Sequence, residues 1–453
     1  MLPINDKTRV FLGNNIPKEY FKDDYLKEIN QAHALVKVIN EEEVISLVKY
    51  SNENDLGIIA IGANTGLAGA THITGNEILI DLSLMNKIHG LDEDTMTLTL
   101  EPGVTLEEIQ HYVESRHFFY PPDPGSKNST IGGNIATNAG GMRAVKYGVT
   151  RDYVRAIDVI LADGTKLNLG SLNIKDSSGY DIKDLFIGSE GTLGITTLIK
   201  LKVIPLPKFK RSYIAAFENL VKATESVSTL LHRGIDPTAV EFFERDMISM
   251  AEHDTGITLP TTTKGESFLL FTLDGDSIDH IDARAQLLKT AVLEHECVEF
   301  LELSDPQLEK DVWHLRDSLL KSVVSYSEQV TMDETVPLNE IATIYAYTKE
   351  LEEEYDVKLM SFGHAGDGNL HTCIIRGDIQ SDEEWNNKKD IILEKLYQRI
   401  HDLGGLPSAE HGIGLIKQDH FYQVMDPHYL EFMKKIKGVF DPKGHMNPHK
   451  VIR

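Results

Sequence analysis

Between two apolar strands the chain runs through Pro121-Pro-Asp-Pro-Gly-Ser-Lys-Asn-Ser-Thr130-Ile-Gly-Gly-Asn-Ile-Ala-Thr-Asn-Ala-Gly140-Gly, and no other stretch constrains the fold as much. Glycines and short hydroxyl or amide side chains offer little apolar surface, so the segment cannot build a core of its own. Low hydrophobicity also describes a disordered linker. This stretch, however, carries no charge run and sits between strongly apolar strands, which favours a chain wrapped closely around a large polar ligand. Two more glycine-rich loops adjoin apolar strands. Gly62-Ala-Asn-Thr-Gly66-Leu-Ala-Gly69 follows residues 56–61, and Asp184-Leu-Phe-Ile-Gly-Ser-Glu190-Gly-Thr-Leu-Gly194 precedes residues 195–203. A strand running into such a loop suits phosphate, because backbone N–H groups can approach with no Cβ in the way. The spacing is neither G-x-G-x-x-G nor a Walker loop, so neither a Rossmann site nor a P-loop is supported.

The 453 residues suffice for two or three domains with substantial cores. A net charge of −25 argues against nucleic acid and against docking on an anionic membrane. No window approaches the roughly 18 apolar residues of a spanning helix, and the N-terminus shows no secretory h-region. Cys297 and Cys373 are the only cysteines, so neither a disulfide framework nor a cysteine-held cluster is expected. These features point to a cytoplasmic protein.

Helical spacing of Val44, Ile45, Leu47 and Val48 predicts a helix over residues 41–54, and Thr105 with Glu108 reads as the capping box of another over 105–114. Residues 154–162 and 166–169 flank Asp163-Gly164 as a hairpin. Pro205 and Pro207 mark a domain boundary. Beyond it strands (212–217, 267–273, 298–303) alternate with helices (220–232, 277–295, 306–324, 383–403). The division expected is 1–207, 208–415 and a returning segment 416–453.

Within the second part, His364-Ala-Gly-Asp-Gly-Asn-Leu-His371 places two imidazoles about a tight turn between short apolar strands, and Glu410-His411 follows. Two His and one Glu suit a divalent metal such as zinc and leave a coordination position open for chemistry. Adjacent side chains diverge on extended backbone. Glu410 and His411 therefore serve one site only if the chain turns there, which Gly412 and Gly414 permit. Arg316 has Val312, Trp313, Leu319 and Leu320 as its helix neighbours, so if buried it needs a partner from elsewhere.

In this order, the three glycine-rich segments, the histidine hairpin, Ser408-Ala-Glu-His-Gly-Ile-Gly414 and the terminal Asp441-Pro-Lys-Gly-His-Met-Asn447-Pro resemble one family. It is the type 4 FAD-binding oxidoreductases of the VAO/PCMH superfamily, in particular the D-lactate dehydrogenase and glycolate oxidase D-subunit group, with D-2-hydroxyglutarate dehydrogenases as cousins. The match runs from about residue 34 to the C-terminus. The resemblance implies an α+β fold: a PCMH-type FAD-binding domain of two α+β subdomains, plus an α+β cap domain with an antiparallel sheet that carries the substrate site. It also assigns FAD to Gly62, Ala63, Asn64, Thr65, Gly66, Leu67 and Gly69, to Pro122, Asp123, Gly125 and Ser126, to Thr130, Gly132, Gly133, Asn134, Thr137, Asn138, Gly140 and Gly141, to Glu190, Gly191, Gly194 and Ile195, and to Asn447. Relatives that attach FAD covalently carry a His in the first loop; Asn64 stands in a loop without His or Cys, so the FAD is expected to be non-covalent.

The resemblance makes His364, His371 and Glu410 metal ligands (zinc first, manganese(II) or iron(II) otherwise), His411 the base and Arg316 the grip on the substrate carboxylate. The implied reaction takes a D-2-hydroxy acid to the 2-oxo acid, with hydride to flavin N5 and electrons to an acceptor other than oxygen. That acceptor is diffusible, an electron-transferring flavoprotein or an iron–sulfur partner subunit, and a homodimer is one admissible assembly. Leu319, Leu320, Val323 and Val324 after Arg316, and Cys373 where 2-hydroxyglutarate relatives carry Asn, argue for a small monocarboxylate such as D-lactate or glycolate. The alternatives are 2-hydroxyglutarate oxidation or a flavin subunit of an electron-transfer complex. A metallohydrolase would leave all three glycine-rich segments without a purpose.

Overall fold

A computed structural model describes residues 2–21, 31–261 and 265–453. The chain is α+β and divides into two compact units, one of residues 1–140, 148–206 and 410–453, the other of residues 141–147 and 207–409. No helix among the described residues is long and apolar enough to cross a membrane.

The first unit holds two principal sheets. In one, β2 (Ala34–Lys37), β3 (Ile58–Ile61) and β4 (Ile78–Asp81) run parallel, and β1 (Val10–Phe11) pairs antiparallel with β2. Parallel strands covered on both faces read as unbroken apolar runs rather than alternation. Val36, Ile58 and Ile80 accordingly pack on Val44, Leu47 and Val48 of the helix Glu41–Asn54, while Leu35, Ile59 and Leu79 pack on Ile16 and Ile73. The C-terminal tail joins the edge of β3, where Asn447 N donates to Ile58 O at 2.8 Å. The second sheet is antiparallel: β5 (Ile88–Asp92), β6 (Thr97–Leu100), β10 (Ile195–Lys202), β8 (Val154–Ile160) and β9 (Lys166–Gly170), in that spatial order. A short pair, β7 (Phe118–Phe119) and β11 (Ile204–Pro205), completes the unit.

The expected helix Leu106–Glu114 forms with its capping box. The segment 121–141 contains a helix that sequence reading did not predict, Ile131–Thr137, despite glycines at 132 and 133. Tertiary contact overrides propensity here, since Gly132 lies against Pro102, whose backbone oxygen a Cβ would meet at 3.0 Å.

The second unit is built on an eight-stranded antiparallel sheet. Its order is β15 (Glu299–Glu302), β12 (Phe209–Phe217), β14 (Ser267–Gly275), β13 (Ala239–Glu244), β18 (Leu359–His364), β19 (Asn369–Ile375) and β16 (Gln329–Thr331), with β17 (Glu334–Thr335) also on β19. One face carries a core of Phe243, Phe268, Met360, Phe362 and Cys373 packed on Met247 and Ile248 of the helix Arg245–Thr255 and on Val312, Leu315, Leu319 and Val323 of the helix Pro306–Tyr326. Helices Leu220–His232 and Ile278–Glu294 pack against β12 and β14.

Two segments group differently from the sequence-based division. Residues 410–415, expected with the cap, belong to the first unit, because Leu415 N and Ile416 N both donate to Ala68 O and Val451 N donates to Gly414 O. Residues 141–147 belong to the second, held by Lys146 and Tyr147 on the carboxylate of Asp274.

Candidate functional site

In the first unit a cleft opens where β3 ends. It is walled by residues 62–66, by Ser129, Thr130, Gly132, Gly133, Asn134 and Thr137, by Glu190, Gly191, Gly194 and Ile195, and by Asn447. An adjoining cleft adds Leu67, Gly69 and Ser126, together with Glu19, Tyr20 and Asn128, which sequence reading did not single out. Four buried polar atoms on the main cleft have no hydrogen-bond partner among the described residues: Ser129 Oγ, Thr130 Oγ1, Asn134 Nδ2 and Asn447 Oδ1. Buried polar groups are normally hydrogen-bonded, so these orphans mark a site shaped for a large polar ligand. Gly62 lets the strand end touch Thr130, whose hydroxyl a Cβ would overrun. Asn64 sits at φ +54° and its Oδ1 accepts from Thr71 Oγ1 at 2.6 Å. A backbone cradle with unsatisfied hydroxyl and amide groups fits the ribityl, phosphate and ring edges of FAD.

Other residues assigned to FAD from sequence stand off these walls. Asp123 pairs with Lys127 and accepts from Gln110. Gly140 faces Glu410, whose Oε2 a Cβ would meet at 3.2 Å. Pro122, Gly125 and Asn138 lie outside both clefts, and Gly141 belongs to the other unit. Glu190 is on the cleft wall, and its carboxylate accepts Ile413 N at 2.7 Å and Gly414 N at 2.8 Å. Those two bonds hold the turn that follows Glu410-His411. Gly412 (φ +81°) lies so close that a Cβ there would come within 2.7 Å of the Glu190 carboxylate. Burial pushes the Glu190 carboxyl up to about 7 against the pull of the two N–H groups and of Lys417 and Lys450. Glu410 and His411 thus occupy a turned segment, their carboxylate Oε1 and ring Nε2 being 3.7 Å apart.

In the second unit the histidine hairpin forms as β18 and β19, with Phe362 opposite His371 and His364 opposite Asn369. In that register the two imidazoles share one face of the sheet. Their rings meet edge to face at a centroid distance of 5.7 Å, and both are buried. A ring nitrogen of His371 lies within 4.8 Å of one on His364 and of a carboxylate oxygen of Asp333. Asp333 is fully buried and accepts from Asn369 Nδ2 at 3.2 Å and Ser408 Oγ at 2.8 Å. His371 thus has two neighbours of the donor types that suit zinc, manganese(II) or iron(II), the imidazole of His364 and the buried, oriented carboxylate of Asp333.

Sequence reading also missed Glu241, at the centre of β13 and fully buried. It is a partner from elsewhere in the fold for Arg316, whose side chain is largely buried. Glu241 Oε1 lies 2.7 Å from His364 Nδ1, Glu241 Oε2 pairs with Arg316, and Arg316 Nη2 is 3.4 Å from His364 Nδ1. Burial pushes the Glu241 carboxyl up, but Arg316 and His364 outweigh it and hold it below its ordinary value. The signal was available in Ala239-Val-Glu-Phe-Phe-Glu244, where a strand buried on both faces carries acids at positions an apolar run would fill.

The residues taken from sequence as evidence for a small substrate do other work. Leu319 and Val323 are core, and Val324 is half-exposed. Cys373 is core as well, its thiol pushed up to about 12 by burial. These side chains therefore carry no information on substrate size. A separate groove of about 1360 Å³ among Asp246, Tyr326, Lys358 and Arg376 has its cations paired locally, Lys358 with Asp246 and Arg376 with Glu328, both at 2.6 Å.

Residues 32–170 match the family model described as FAD binding domain, and residues 206–451 match FAD linked oxidases, C-terminal domain. The chain is 39% identical over 453 residues to the D-lactate dehydrogenase of Anaerostipes hadrus, covering 98% of this chain and 94% of that one. It is 34% identical over 425 residues to the glycolate oxidase subunit GlcD of Bacillus subtilis (strain 168), covering 92% and 88%. Among solved structures, substrate-bound p-cresol methylhydroxylase superposes with a TM-score of 0.79 at 17% identity, covering 98% of this chain and 94% of that one, a likeness of fold alone.

Proposed function

The chain belongs to the FAD-linked oxidases of the VAO/PCMH family, and from that premise we propose that it oxidises a small D-2-hydroxy acid, D-lactate or glycolate, to the 2-oxo acid and delivers the electrons to an acceptor other than oxygen. The observation that carries the reading lies in the second unit, where an arginine only 11% exposed stands against an imidazole that itself meets a second imidazole edge to face. That arrangement joins a cation for a carboxylate to nitrogen donors for a metal. The names of the two curated relatives support the choice of substrate class.

FAD supplies an acceptor for two electrons and a hydrogen, and a divalent metal, zinc before manganese(II) or iron(II), supplies a Lewis acid that makes a hydroxyl easier to deprotonate. The remaining work falls to side chains. Arg316 grips the substrate carboxylate and so orients C2. His364 and His371 would hold the metal, with Glu410 as the third ligand, and His411 would take the hydroxyl proton as the general base. The roles of Glu410 and His411 rest on their motif. The electrons leave through an electron-transferring flavoprotein, an iron–sulfur partner subunit or a diffusible acceptor.

Asn64 offers no nucleophilic nitrogen for attachment, and its side-chain oxygen is engaged by Thr71. Acid precipitation is therefore expected to leave the yellow colour in the supernatant; colour retained in the pellet would mean covalent FAD.

The reaction itself is tested by adding D- and L-2-hydroxy acids to the oxidised protein without oxygen. Bleaching of the visible flavin bands by D-lactate or glycolate is the expected result. Bleaching by 2-hydroxyglutarate alone would refute the small-substrate reading, and no bleaching by any member of the panel would refute the reaction.

A further inference from the structure

We propose that Glu241 is a positioning residue that makes His364 a competent metal ligand and sets the guanidinium of Arg316, one carboxylate serving both. The inference rests on the metal-ligand reading of His364 given above and extends it to a residue that no motif assigns.

Glu241 and His364 are cross-strand partners, placed opposite one another in the pairing of β13 with β18. Residues directly opposite on adjacent strands project to the same face, so the sheet register itself brings carboxylate and imidazole together. Arg316 reaches the pair from the helix Pro306–Tyr326, which is seated on that face by Val312, Leu315, Leu319 and Val323. Nothing in the strand's packing asks for an acid. Its neighbours Phe242 and Phe243 are buried aromatics, and a carboxylate with no exposure is costly unless paired.

The pairing is specific to each oxygen. Oε1 faces His364 Nδ1 at 2.7 Å, and an acceptor there fixes the neutral tautomer that carries its proton on Nδ1. The lone pair is then left on Nε2, the nitrogen that would bind the metal, and the imidazole becomes a better donor because its N–H is donated to an anion. Oε2 pairs with Arg316, so the same anion holds the guanidinium beside the ligand histidine. The structure therefore couples two functions that sequence reading treated separately.

A plain structural tie between helix and sheet would use the same contacts but would not touch metal affinity. The test uses the full-length, FAD-loaded protein stripped of metal with a chelator and titrated with zinc against a chromophoric competitor. Glu241→Gln keeps the volume and an acceptor oxygen but removes the charge, and it is expected to weaken zinc binding by about 10–100-fold with FAD content unchanged. Glu241→Asp, which restores the anion, is expected to recover part of that loss. Wild-type zinc affinity in Glu241→Gln, even with lowered thermal stability, would overturn the proposal and leave Glu241 a structural tie. Failure of the wild-type protein itself to bind zinc, manganese(II) or iron(II) stoichiometrically is a different result. It would overturn the metal reading and the ligand half of this proposal together, whatever the variants do.

Discussion

Replacing His411 with asparagine is expected to lower kcat by roughly 10²–10⁴-fold, the range over which a positioned general base contributes, while the protein keeps its flavin. Asparagine has similar bulk but no nitrogen that accepts a proton near neutral pH. The segment bearing His411 is held independently of the imidazole: Glu190 accepts Ile413 N and Gly414 N, and Gly414 O accepts Val451 N. The turn should therefore survive the substitution. Flavin absorbance and melting temperature should match wild type, and added imidazole should restore part of the rate to His411→Ala. A loss of less than threefold in anaerobic flavin reduction would move the base elsewhere. A loss that tracks FAD content would make His411 part of the cradle instead.

Removing Arg316 is expected to have a second consequence beside the loss of substrate binding that its proposed role implies. Its side chain is 11% exposed, and that of its partner Glu241 is not exposed at all. Truncation to alanine leaves a buried carboxylate with the His364 ring as its remaining described contact, and breaking a buried pair from one side costs about 3–5 kcal/mol. Arg316→Ala should therefore lower both stability, read by denaturant unfolding, and kcat/KM, by roughly 10²-fold or more through lost orientation of the carboxylate. Arg316→Lys separates the two effects. It retains a cation against Glu241 but not the planar fork, so stability should largely return while kcat/KM stays low. Full activity in the lysine variant would show that charge alone suffices. Full activity in the alanine variant would remove Arg316 from the substrate site.

What was legible in the sequence depended on distance along the chain. The capping box of Thr105 and Glu108, the helix over Glu41–Asn54 and the hairpin carrying His364 and His371 all obey spacings of two to eight residues, and all three form. The glycine-rich segments announced a large polar ligand through composition, and the structure sets unpaired hydroxyl and amide atoms along the same cleft. The helix Ile131–Thr137 was not legible, because the close contact with Pro102 that accommodates Gly132 is remote in sequence. Nor was the orientation of Glu190, whose motif suggested FAD but whose carboxylate supports the turn after His411.

The order of motifs along the chain determined the family and the flavin chemistry by itself. The apolar helix neighbours of Arg316 also showed that, if buried, it would need a partner from elsewhere, without identifying one. Glu241 stood out in sequence only as an acid within an apolar run, and the tertiary structure alone decided what it pairs with. Its strand is buried on both faces and shows no alternation to read, and its meeting with His364 and Arg316 is set by strand register and by the seat of a helix on the sheet. Both are long-range consequences of packing, which no local periodicity encodes.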